Sequence, residues 1–231
     1  MRSCAGAASW TWRRLHEVKA ILGRLFVLLP LLLLGAGAVE AHPHVWITAV
    51  SELLYAPDGS LTGIRQAWTF DDMFAAYALQ GIETKTKGTY TREELAPLAE
   101  TNVEALKEYA YFTFARGDGG KKEKFSEPVD YFLEYNDGQL TLHFTLPLKT
   151  PLQTKHLSLD VFDPTFFVDF RLAKTDPVRL VSAPEGCKMA FQRPNDGSAT
   201  AQTLNEQTFA NGGENANYGA MFANKITVEC P

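Results

Sequence analysis

Two histidines dominate the chemistry this sequence could perform. They bracket a proline in the run His42-Pro43-His44-Val45-Trp46. A cut after Ala41 would give His42 a free α-amine beside its imidazole. Such an amine has a pKa near 8, so a metal ion displaces its proton at modest cost. Amine and ring nitrogen then form a chelate, and His44 adds a third nitrogen. Imidazole donors suit zinc, nickel, cobalt and copper, and do not suit calcium. The square-planar terminal copper/nickel motif is excluded on covalent grounds. It binds through deprotonated backbone amides, and Pro43 has no amide hydrogen.

The elements that must hold these residues follow from period and turn chemistry. Residues 44–55 alternate, with Val45, Ile47, Ala49, Leu53 and Tyr55 on one face and His44, Trp46, Thr48 and Glu52 on the other, which predicts a strand. Pro57-Asp58-Gly59-Ser60 is a turn, and residues 63–70 alternate again with Ile64, Gln66, Trp68 and Phe70 together. A hairpin turn centred on Asp58-Gly59 places Trp46 opposite Asp71 and Val45 opposite Asp72, subject to a one-residue shift if Gly63 forms a bulge. The hairpin alone could therefore bring His42, His44 and an aspartate together. Asp71 or Asp72 could equally cap a following helix.

Other candidate ligands stand apart in sequence. Asp163 opens an aromatic-rich turn, Asp163-Pro164-Thr165-Phe166-Phe167-Val168-Asp169, at the end of a strand. His143 lies opposite the apolar face of Leu140, Leu142, Phe144 and Leu146, and His156 begins another strand; either could complete a nitrogen set. The twelve residues from Glu83 to Glu94 have EF-hand spacing around Gly88. Lys85 and Lys87, however, occupy loop positions that require oxygen, so no calcium is expected there. No Gly-x-Ser-x-Gly, phosphate loop or His-Glu-x-x-His is present, and the motifs make no positive case for an enzyme.

Residues 25–39 form a short apolar run preceded by Arg13, Arg14, Lys19 and Arg24 and followed by small residues. That pattern predicts a cleavable signal peptide over 1–41 and a periplasmic destination. Cleavage after Ala38 competes with cleavage after Ala41. Removing the leader takes away five bases (Arg2, Arg13, Arg14, Lys19, Arg24) and two acids (Glu17, Glu40), so the formal charge of −5 becomes −8. An acidic exported domain is a poor partner for nucleic acid and suits cations. Cys4 leaves with the leader, and Cys187 and Cys230 then form an even pair expected to make a disulfide.

Hydrophobic residues make up 45% of the chain and aromatics 12%, which excludes collagen, mucin and wholesale disorder. After a capped helix beginning at Asp71 or Asp72, Thr91 with Glu94 predicts a capping box for a second helix, with Pro97 kinking it or delaying its start. Strand signals resume near Tyr109 and recur at 111–114, 129–135, 139–148, 156–162, 165–171, 178–182, 187–191 and 226–230. These predict one α+β, mainly β domain over 42–231. It should be an antiparallel β-sandwich or partly open barrel, with a two-helix insertion at about 72–108 and a long surface loop over 192–224.

Four segments together resemble a known family. They are His42-Pro43-His44-Val45-Trp46-Ile47 after a leader, Trp68-Thr69-Phe70-Asp71-Asp72-Met73-Phe74, the stretch from Phe162 to Phe170, and the stretch from Phe222 to Cys230. The resemblance is to bacterial exported domains of unknown function, often encoded beside nickel/cobalt exporter-like (NicO-type) membrane permeases and in some cases linked to zinc acquisition. It implies a periplasmic, transition-metal-binding component of a transport system, partnered by an inner-membrane metal permease. Carried over by position, its motif residues are His42, His44, Asp71, Asp72 and Asp163. The family often carries an acidic loop where this chain has Lys85 and Lys87, which leaves no second cation site expected here.

Three readings therefore compete. The first is an accessory protein that binds zinc, or nickel or cobalt, for a permease. The second is a copper-binding brace-type protein or redox enzyme, which would need His143 or His156 as a further nitrogen. The third is a metal-free exported interaction module whose aromatics (Trp46, Trp68, Phe166, Phe167) form a core or docking face.

Overall fold

The computed structural model describes residues 43–194 and 218–231. The leader expected over 1–41, His42 and most of the loop expected over 192–224 lie outside the described residues. Strand β1 (Val45–Tyr55) and β2 (Leu61–Phe70) form the opening hairpin, followed by helices α1 (Asp72–Ala78) and α2 (Arg92–Leu106). Strands β3 (Thr113–Arg116), β4 (Val129–Asn136), β5 (Gln139–Leu152), β6 (His156–Val161), β7 (Val168–Leu172), β8 (Val178–Val181), β9 (Lys188–Gln192) and β10 (Asn224–Glu229) complete the domain.

Among the described residues the strands form two sheets and no closed barrel. One runs β4-β5-β2-β1-β7, with β8 also on β1; the other runs β3-β6-β10-β9. The mainly β sandwich class is as expected. One feature is added: β7 and β8 both pair with β1 in parallel, which makes the first sheet mixed. The hairpin register is the expected one, Ile47 facing Phe70 and Leu54 facing Gly63, with an irregularity beside Tyr55 and Leu61. Residues from both sheets and from α2 share one core, in which Trp68 lies edge-on to Phe144 at 4.7 Å and to Phe170 at 4.8 Å. Truncating a buried indole of this kind typically costs about 3–5 kcal/mol.

Both expected helix starts are present. Thr91 and Glu94 form the reciprocal capping box. Pro97 lies inside α2 without delaying its start at Arg92, and the inward stripe is Leu95, Ala99 and Val103.

Two elements differ from expectation. The strand read over 165–171 begins only at Val168, because the residues before it form the turn held by Asp163. The strand read over 111–114 begins only at Thr113, and Lys107–Phe112 is a 3-10 turn. Within it Ala110 (φ 51°), Tyr111 (φ 54°) and Phe112 (φ 47°) are consecutive left-handed residues, none of them glycine. Each such residue costs about 1–2 kcal/mol, so other contacts must hold the turn. A buried relay supplies them. The Ser51 hydroxyl donates to the Gln66 Oε1 atom (2.7 Å), Gln66 Nε2 donates to the Thr113 hydroxyl (3.2 Å), and that hydroxyl donates to the Tyr111 carbonyl (2.8 Å). The Phe162 N–H also donates to the Phe112 carbonyl at 3.1 Å. The alternating pattern could not show this, because it read 111–114 only as strand-like.

Candidate functional site

Four of the residues singled out by type, His44, Asp71, Asp72 and Asp163, lie near the start of β1. His44 is exposed, its N–H donates to the Phe167 carbonyl at 2.9 Å, and its ring lies 4.7 Å from that of Phe167. Two residues on, the Trp46 N–H donates to Asp71 Oδ2 at 2.9 Å. Asp71 Oδ1 accepts from the N–H groups of Met73 and Phe74, both at 2.9 Å, and so caps α1. Three backbone donors thus converge on one carboxylate, which holds strand to helix. Asp72 lies exposed in the first turn of α1, where the helix dipole favours a negative charge.

Asp163 does similar work on the opposite side. It is buried, and its Oδ1 accepts from the Thr165 N–H (2.8 Å) and hydroxyl (2.9 Å) while Oδ2 accepts from the Val168 N–H (3.0 Å). This folds the turn tightly enough that Phe166 takes a left-handed φ of 59°, with its ring stacked on Phe222 at 3.8 Å. Phe167 is thereby turned outward against His44. The segment Tyr218–Phe222 presses in close, its Gly219 N–H donating to the Pro164 carbonyl at 2.9 Å. A β-carbon at Gly219 would overlap the Asp163 carbonyl, so only glycine fits there.

Among the described residues, no group of three His, Cys, Asp or Glu side chains stands close enough to hold a metal ion. His42 lies outside them. His143 and His156 are remote from this end in register. His143 sits on β5 between Ala67 and Phe132 on the neighbouring strands, and His156 starts β6 with its N–H donating to Asp118. The His143 ring stacks on Phe132 at 4.6 Å, and the Arg92 guanidinium lies 3.7 Å from the Phe132 ring centre. Its buried Nε2 is 3.6 Å from Glu134, beyond good hydrogen-bond range. Burial holds the imidazole pKa below its usual value, with Glu134 pulling the other way.

Glu94, the last position of the EF-hand-like spacing, spends its carboxylate on the N–H groups of Thr91 and Lys85. Cys187 and Cys230 form the expected disulfide. Sequence reasoning missed Asn224, whose buried amide donates to the carbonyls of Val161 and Phe170 and so ties β10 to a strand of each sheet. An asparagine opening an alternating apolar strand is the signal that could have flagged it. Among the described residues no helix is long and apolar enough to cross a membrane.

An uncharacterized protein of Haemophilus influenzae is 26% identical over 195 residues, covering 83% of this chain and 92% of its own length. A protein of Spirochaeta aurantia, described as an uncharacterized 15.5 kDa protein in the trpE 3′ region, is 35% identical over 94 residues, or 40% of this chain and 66% of that protein. A family model described as protein of unknown function (DUF1007) matches residues 27–230, and the chain belongs to that family.

Proposed function

We propose that this protein is an exported, periplasmic accessory protein that binds a transition-metal ion, zinc foremost and nickel or cobalt next, as cargo for an inner-membrane metal permease. The observation that carries the reading is the placement of His44. Its imidazole is exposed at the start of β1, seated on Phe167, with its backbone pinned to the same residue. Pro43 precedes His44 at that fixed edge, and in the sequence His42 comes next, so that cleavage after Ala41 would add a fresh α-amine and a second imidazole. Asp71 and Asp163 support the edge through backbone hydrogen bonds, and Asp72 is the exposed carboxylate of the group. The formal charge of −8 after leader removal favours cation capture, and the Cys187–Cys230 bridge suits an oxidising compartment.

The test is calorimetry with Zn²⁺ on untagged protein whose N-terminal mass has been measured. Stoichiometric binding is expected, weakening as pH falls and imidazoles protonate, and absent in a His42→Ala/His44→Ala variant. Undiminished affinity in that variant would remove the proposed site. A second reading, a metal-free interaction module, draws on the apolar side chains left exposed on α1, Met73 at 76% and Tyr77 at 70%. It would be favoured if purified protein neither contained nor took up metal.

A further inference from the structure

A cavity of about 390 Å³ lies beneath the His44 edge, and the metal reading makes no use of it. Its floor is the core face of the first sheet, with Ile47 from β1, Trp68 from β2 and Leu142 from β5; Leu106 of α2 and Phe112 of the left-handed turn face that floor. It is open enough to be reached, since the lining residues Tyr109 and Phe167 are each about half exposed. A dry apolar cavity of about 150 Å³ already accepts benzene, so this one has room for more than twice that. Pockets of this size with mainly hydrophobic and aromatic walls are the usual form of small-molecule sites.

Two further observations point to a ligand and limit its chemistry. First, among the described residues the cavity is lined by both segments in which aromatic residues are left-handed: Phe112 closes the run 110–112, and Thr165 and Phe167 flank Phe166. Such conformations persist only where surrounding contacts over-determine them, and they concentrate at ligand clamps. The Ser51–Gln66–Thr113 relay and the Asp163 carboxylate supply those contacts. Second, among the described residues no Lys, Arg or His lines the cavity, and the one carboxylate that does, Asp163, is engaged by backbone and Thr165 donors. A carboxylate or phosphate placed inside would be desolvated without a countercharge. Of the neutral polar side chains, Thr165 is engaged with Asp163, while Tyr109 and Asn102, whose Nδ2 also donates to the Leu98 carbonyl, line the cavity and can orient a hydroxyl or carbonyl.

We propose that this cavity is a binding site for a small, uncharged, mainly apolar molecule, about the size of a two- or three-ring aromatic or a ten-carbon chain. Binding is independent of the metal site and needs no metal ion. The test titrates the metal-free full protein with the neutral fluorophore N-phenyl-1-naphthylamine, then competes it with 1-decanol and with decanoate at a pH where the acid is ionised. Expected are saturable one-to-one binding and displacement by decanol at a concentration at least tenfold lower than decanoate. Ala105→Trp, at an exposed position of α2 that lines the cavity, should weaken the fluorophore at least tenfold while the unfolding midpoint stays put. Non-saturating fluorescence, equal displacement by decanoate, or unchanged affinity in a folded Ala105→Trp variant would each overturn the proposal. Should that variant fold poorly, the alcohol-against-acid comparison on the unaltered chain decides alone.

Discussion

Asp71 and Trp46 are joined twice. The Trp46 N–H donates to the Asp71 carboxylate and the Asp71 N–H donates to the Trp46 carbonyl, each at 2.9 Å. The side chain continues the β1–β2 ladder one step beyond its backbone and then starts α1. Asp71→Ala removes a cap and orphans three N–H groups, so a loss of about 2–3 kcal/mol is expected in urea unfolding. Asp71→Asn keeps one acceptor oxygen and should lose less. At a temperature where both variants remain folded, the zinc isotherm should match that of the parent. A tenfold loss of zinc affinity in Asp71→Asn, without a matching loss of stability, would instead make Asp71 a ligand.

His143 gives stability a definite pH dependence. Burial lowers its folded pKa below the ordinary value of 6.5, so the unfolded chain binds the proton more tightly. The contribution is therefore intact above about pH 6.5, is lost as pH falls from there toward the folded pKa, and levels off below it. His143→Phe keeps a ring to stack on Phe132 and removes the titration. Unfolding midpoints measured at pH 5 and pH 8 should differ less in this variant than in the parent. An unchanged difference would assign the slope to other groups.

The hairpin was legible because its period, turn and register are local: Asp58-Gly59 fixes the pairing, and the pairing fixes that Trp46 meets Asp71. The capping box of Thr91 and Glu94 was legible for the same reason. What Asp71 does there was not, since cap and metal ligand call for the same residue type at the same place. The left-handed turn at 110–112 was hidden because Tyr, Phe and Thr spell a strand by propensity. It is held by Gln66 and Ser51, which lie more than forty positions away. Tertiary hydrogen bonds of this kind override local preference, and neither period nor turn chemistry records them. The cavity has the same origin, since its walls come from five separate segments.

The disulfide closes a sequence separation of 43 residues. In the chain-entropy model such a crosslink stabilises by about 4 kcal/mol. Cys187→Ser/Cys230→Ser should lose most of that in denaturant unfolding, and reductant should bring the parent to the variant's midpoint. The bridge lies at the end of the domain away from the β1 edge, where Glu229 pairs with His156 and Lys188. A variant that stays folded should therefore still bind zinc and the neutral fluorophore. Loss of either ligand with the fold intact would mean that the two ends are coupled.

Gln66 is a buried polar residue on an otherwise apolar strand face, between Ile64 and Trp68. Replacing it with leucine fills nearly the same space and matches the alternating pattern better, so hydrophobicity alone favours the change. The relay argues the opposite. Gln66→Leu strands the Ser51 hydroxyl without an acceptor and frees the Thr113 hydroxyl from its donor, and an orphaned buried polar group costs about 1–3 kcal/mol. With its tether gone, the left-handed turn can relax, and Phe112 with it. The variant should therefore be less stable than the parent and should also bind N-phenyl-1-naphthylamine more weakly. Ser51→Ala/Gln66→Leu removes both partners and should recover part of the stability without recovering the binding. A stable Gln66→Leu protein with full fluorophore affinity would mean that the turn is held by packing alone.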